Sequence, residues 1–67
     1  MNSRTFKSII IRKGFKFDET EDMLIAFKKQ NRKYVSAKFQ KSKLNKITDK
    51  DLLDALYMME VELYEIL

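Results

Sequence analysis

A single glycine, Gly14, and no proline punctuate these 67 residues. Turn-rich β folds draw heavily on those two residue types for chain reversal, so their scarcity argues against an all-β architecture. Cysteine and histidine are absent too. That excludes a disulfide framework, thiolate metal sites and the commonest ligand for zinc, copper or iron. A chain this short must then reach stability through well-packed helices or through self-association. With 45% hydrophobic residues it has enough apolar material for one core. A single domain over residues 1–67 is expected.

The fold class expected is mainly α: a small domain of three helices, or four if the middle segment breaks, ending in a long amphipathic helix. Ser3 is placed to cap the first helix, Phe6, Ile9 and Ile10 share one face, and Arg12 and Lys13 suit its C-terminal end. Gly14 at C′, with Phe15 at C″ facing Ile10, has the form of a Schellman stop. A second helix is predicted from Asp18, which with Glu21 resembles a capping box, through the apolar stripe Met23, Leu24 and Phe27 to Gln30. Met23, Phe27, Gln30, Tyr34, Ala37, Lys41 and Leu44 continue at 4-3-4-3-4-3 spacing, which would carry it into the mid-forties. Against this, Val35, Ala37 and Phe39 alternate with Ser36, Lys38 and Gln40, the period-two pattern of a half-buried strand. The alternative is a small α+β domain with strands near residues 6–11, where Ile9, Ile10 and Ile11 are β-branched, and near 34–40.

The C-terminal helix has the strongest signals. Thr48 caps it, Asp51 sits at N3, and Leu52, Leu56, Met59, Leu63 and Ile66 repeat at 4-3-4-3 spacing. A second row, Leu53, Tyr57, Tyr64 and Leu67, widens the apolar face to roughly half the circumference. That exceeds what one small domain needs, so the first row is expected to serve self-association as a homodimer, or to dock on a protein partner. Glu60 falls between the two rows. If that face is buried, its carboxylate requires a cation from the basic half; otherwise it reaches water.

Charge is divided unevenly. Residues 1–48 hold thirteen lysines and arginines against four acids, whereas the acidic helix 49–67 holds one lysine against six acids. Residues 28–46 alone carry eight cations and no acid, with Tyr34 and Phe39 among them. Such a stretch points to a nucleic-acid-binding protein whose partner is DNA or RNA. Arg32, Lys33, Lys38, Lys41 and Lys43 are the candidate phosphate contacts, and Tyr34 is the candidate stacking group. The acidic run Asp18-Glu19-Thr20-Glu21-Asp22 would limit the usable face. In the competing view the lysines are solvated surface and the aromatics are core. The alternative function is a protein-interaction module or inhibitor that blocks or modulates a larger protein.

Catalysis is not expected. Tyr34 and Lys38 match the Tyr-x-x-x-Lys spacing of short-chain dehydrogenases, but the chain lacks a Gly-rich dinucleotide fold. Asp49, Asp51 and Asp54 lack the glycine and terminal glutamate of a calcium loop and fit helix capping instead. No serine has a histidine partner. No cofactor and no metal are therefore expected. The apolar runs are too short to span a membrane, and no small-residue cleavage site follows the N-terminal stretch, so a cytoplasmic protein is the expectation. The interval 31–48 is too long for a ribbon-helix-helix dimer, and residues 22–41 do not meet helix-turn-helix spacing.

Overall fold

The computed structural model describes residues 1–65. Its elements run α1 (Ser3–Arg12), β1 (Lys16–Glu19), β2 (Met23–Gln30), β3 (Lys33–Gln40), a 3₁₀ segment (Lys41–Lys46) and α2 (Asp49–Tyr64). The three strands form an antiparallel meander in the order β1-β2-β3. The chain is thus a small α+β domain, and the expectation of a mainly α, three-helix or four-helix domain is corrected. The α+β alternative is also corrected in part. Residues 6–11 are helical, whereas residues 34–40 do lie in a strand.

At α1 the stop is formed as its residues dictate. Gly14 adopts φ +85°, its N–H donates to the Ile11 carbonyl, and the Phe15 N–H donates to the Ile10 carbonyl, each at 3.0 Å. Those are the two bonds of a Schellman motif, and glycine enters the left-handed region without a Cβ penalty. At the other end Asn2, rather than Ser3, is the cap, accepting from the Thr5 N–H at 2.8 Å. The α2 start matches its sequence. Thr48 Oγ1 accepts from the Asp51 N–H and Asp51 Oδ2 accepts from the Thr48 N–H, each at 3.1 Å. That reciprocal pair holds the Asp51 carboxyl below its ordinary range, through the Thr48 backbone N–H first and its side chain second.

The predicted second helix is replaced by the end of β1, a tight reversal and β2. The acids at 18–22 do not cap a helix; Glu21 and Asp22 sit at the tip of the reversal. Thr20 and Met23 close it, with the Thr20 N–H on the Met23 carbonyl at 2.9 Å and the Met23 N–H on Thr20 Oγ1 at 3.0 Å. The next reversal needs no glycine because Asn31 takes φ 58° in the two-residue link between the paired Gln30 and Lys33. A central strand with apolar residues on both faces explains the misleading stripe. Met23, Ile25 and Phe27 face one way and Leu24, Ala26 and Lys28 the other, so period two is hidden.

Both helices cover the same side of the sheet, α1 against β1 and α2 against β3. Leu24, Ala26 and Val35 meet Phe6, Ile9 and Ile10 of α1 and Leu52, Leu56, Met59 and Leu63 of α2 in one core. Phe6 packs edge-on against Phe39, ring centroids 5.0 Å apart. Each fully enclosed side chain of this kind contributes about 1.5–3 kcal/mol. Everything the sheet presents on its other side is left for solvent or a partner.

Candidate nucleic-acid interface

Strand pairing arranges the uncovered face in cross-strand rows. Lys16, Phe27 and Ser36 lie side by side; so do Asp18, Ile25 and Lys38; Met23 pairs Gln40 and Lys29 pairs Tyr34. Alternation puts all ten residues on one face because successive side chains of a strand point to opposite sides. The central strand supplies an apolar stripe of Met23, Ile25 and Phe27, and the lysines stand around it. Tyr34 is 58% exposed and lies over Phe27, with ring centroids 5.9 Å apart and planes tilted by 30°. Asp18 is the one acid among the ten.

Among the predicted phosphate contacts, the fold divides the set. Lys38 stands on the open face, and with Lys43 and the flanking Lys46 it surrounds an open depression of about 540 Å³ beside Met23 and Gln40. Arg32 is exposed at the tip of the β2–β3 hairpin, next to the Lys29–Tyr34 row. Lys33 and Lys41 turn elsewhere. Lys33 Nζ donates to the Glu65 backbone carbonyl. Lys41 Nζ lies 2.7 Å from Glu19 Oε2, while Lys7 Nζ of α1 lies 2.6 Å from Glu19 Oε1. The two ammonium groups, Lys41 ahead of Lys7, hold the Glu19 carboxyl from its ordinary value of 4.5 down to about 2.

Lys16 and Lys29 escaped the sequence analysis as site residues. No alternation in 23–29 marks them; only the strand register places Lys16 beside Phe27 and Lys29 beside Tyr34. The Tyr34–Lys38 spacing loses its catalytic resemblance in a strand, since four residues separate the two Cα atoms by about 13 Å.

On the opposite side of the molecule, Leu52, Leu56, Met59 and Leu63, the row expected to serve self-association, pack inside the chain's own core. Ile66 lies outside the described residues. The row α2 leaves outward is Leu53, Tyr57, Val61 and Tyr64, with Met58 beside it. Glu60 sits at the margin of that row, half-buried, 3.4 Å from Lys28 Nζ on the inner face of β2, and the same ammonium lies 5.1 Å from the centre of the Phe15 ring. A lysine of the basic half thus partners this carboxylate at a site that still reaches water.

No known family, curated protein or solved structure matches this chain. Among the described residues, no helix is long and apolar enough to cross a membrane.

Proposed function

We propose that this protein binds nucleic acid, DNA or RNA, through the open face of its sheet. The observation that carries it is Tyr34, 58% exposed over Phe27, with Lys16, Lys29 and Lys38 on the same uncovered face. Lysines around an aromatic surface supply phosphate neutralisation at the rim and stacking at the centre. Lys43, Lys46 and Arg32 extend the positive field beyond the sheet. The test is fluorescence anisotropy with labelled DNA and RNA across a salt series, using the wild type and a Lys16→Glu/Lys29→Glu/Lys38→Glu variant. Wild-type binding falls steeply with salt, and the variant binds far more weakly with a log–log slope shallower by about 2–3, one phosphate per lysine. Equal binding by the two proteins would contradict the proposal.

A second function has its own observation. Tyr57 is 67% and Val61 45% exposed on α2, in a row bordered by Asp54, Glu60 and Glu62. Such a row serves protein contact, with a second copy of this chain the simplest occupant. Light scattering tests it: a mass twice that of the chain, reduced to one chain by Val61→Asp, supports self-association, and a wild-type monomer at high concentration removes it.

A further inference from the structure

Resting on the nucleic-acid proposal above, we infer that the open face selects single-stranded over double-stranded nucleic acid, stacking bases on Tyr34 and Phe27. The reason lies in how apolar and charged groups are distributed across the face. Its middle is apolar, with Met23, Ile25 and Phe27 along β2, and its cations stand at the margins: Lys16 on β1, Lys29 and Arg32 toward the hairpin tip, Lys38 on β3. A duplex presents its phosphates outermost and keeps its base faces inside the stack, so charge would meet the apolar stripe. A single strand reverses that order. Its bases turn inward onto the apolar and aromatic surface while its phosphates reach the lysines at the rim.

Groove readout fits poorly as well. Three strands about 4.8 Å apart make a backbone layer about 10 Å across before side chains are added. The major groove is about 12 Å wide and accommodates a helix or a two-stranded ribbon. Laid face-on, this sheet with its flanking lysines exceeds that width.

The acids set the path of the strand. Asp18 lies on the β1 side of the face, across Ile25 from Lys38. Glu21 and Asp22 form the reversal at the end where β3 finishes, and Glu62 and Glu65 flank Tyr34 at the β3 edge, so acids bound the face at those places. The cations lie between them: Arg32 and Lys29 toward the hairpin tip, Lys16 across Phe27 on β1, Lys38 on β3, and Lys43 and Lys46 past its end. The phosphates accordingly meet Lys16, Lys29 and Lys38 at the margins, and the bases lie across Tyr34 and Phe27.

The experiment compares four probes of equal length, about 12 nucleotides. These are an oligo-uridine strand, an oligo-thymidine strand, a self-complementary DNA duplex, and an abasic phosphodiester strand that has the charges without the bases. Wild type is run beside Tyr34→Leu, which keeps a strand-compatible apolar side chain over Phe27 and removes the ring. Circular dichroism confirms that the variant is folded. The base-bearing single strands bind at least tenfold more tightly than the duplex and the abasic strand. Tyr34→Leu costs them roughly tenfold to a hundredfold while leaving duplex and abasic binding unchanged. Duplex binding equal to or tighter than the single strands, or abasic binding equal to theirs, overturns the single-strand inference while leaving nucleic-acid binding itself intact. Binding to none of the four overturns both.

Discussion

Two tyrosines, Tyr34 on the sheet and Tyr57 on α2, stand about equally far into solvent, at 58% and 67% exposure, on opposite sides of the molecule. The faces they stand on differ in charge. The sheet face that carries Tyr34 also holds Lys16, Lys29 and Lys38 with one acid, Asp18, while Glu62 and Glu65 line the depression at the Tyr34 edge together with Lys33. The outward side of α2 carries Asp49, Asp51, Asp54 and Glu62 against Lys50, which itself lies 3.6 Å from Asp54. An exposed ring is indifferent to the sign of its partner; the surrounding charge decides which partner approaches. The fold has taken a charge asymmetry along the chain and turned it into an asymmetry between two faces. On the functions proposed above, the sheet is the face for a polyanion and α2 the face for protein.

The largest effect that can break this contrast concerns the two sides of α2. Leu52 is fully enclosed and Leu53, its neighbour, is 38% exposed. Leu52→Ala is expected to cost about 2–5 kcal/mol, a large part of the total for a domain of this length, and Leu53→Ala less than about 1 kcal/mol. Urea denaturation measures both. If the two changes cost the same, the outer row is not a free surface and the contrast with the sheet fails.

Next in size is the pair of tyrosines themselves. Tyr57→Leu should leave oligonucleotide affinity within about twofold, while Tyr34→Leu lowers it by the tenfold or more that stacking supplies. A loss of similar size for both would mean that aromatic exposure, not its charged setting, governs binding.

Smaller still is the acid response of the lysines that face away from the open surface. Because the Glu19 carboxyl is held near 2 in the folded protein and has its ordinary value of 4.5 when unfolded, the charged Glu19 stabilises the fold above that ordinary value. As pH falls through 4.5 toward 2 the contribution is lost. Glu19→Gln should lower stability at neutral pH and flatten the decline between those two values, in denaturation midpoints taken across pH. An unchanged profile would mean that Lys41 and Lys7 are not committed to Glu19 and belong to the solvent-facing charge.

The smallest effect lies at the hairpin tip. Asn31→Gly should stabilise the domain by roughly a few tenths of a kcal/mol, since glycine takes φ 58° freely, without altering oligonucleotide binding. A fall in affinity would place Asn31 itself in the interface.

Where a local signal had a single physical meaning, the sequence was legible. Gly14 followed by Phe15 means a helix stop, and Thr48 with Asp51 means a helix start; both occur at those residues. The sheet was hidden because β2 is central. With Met23, Ile25 and Phe27 on one face and Leu24 and Ala26 on the other, its apolar residues satisfy a helical stripe as readily as a strand. Its two reversals are made by Thr20 and Asn31 rather than by glycine or proline, so the usual punctuation was missing. In the candidate site, Tyr34 and Lys38 could be named from the basic stretch. Lys16 and Lys29 join them only through register, which pairs residues eleven and five positions apart in sequence. Lys33 and Lys41 look the same in sequence as their neighbours, and only the packing shows that Glu65 and Glu19 engage them.

The claim that the open face, and not α2, receives nucleic acid is tested most directly by side-chain methyl spectra recorded during titration with a short oligonucleotide. Each surface has its own reporters: Met23 and Ile25 on the sheet, Met58 and Val61 on α2. The Met23 and Ile25 methyl signals should shift progressively while those of Met58 and Val61 stay in place. Shifts at Met58 and Val61, with Met23 and Ile25 unmoved, would contradict it.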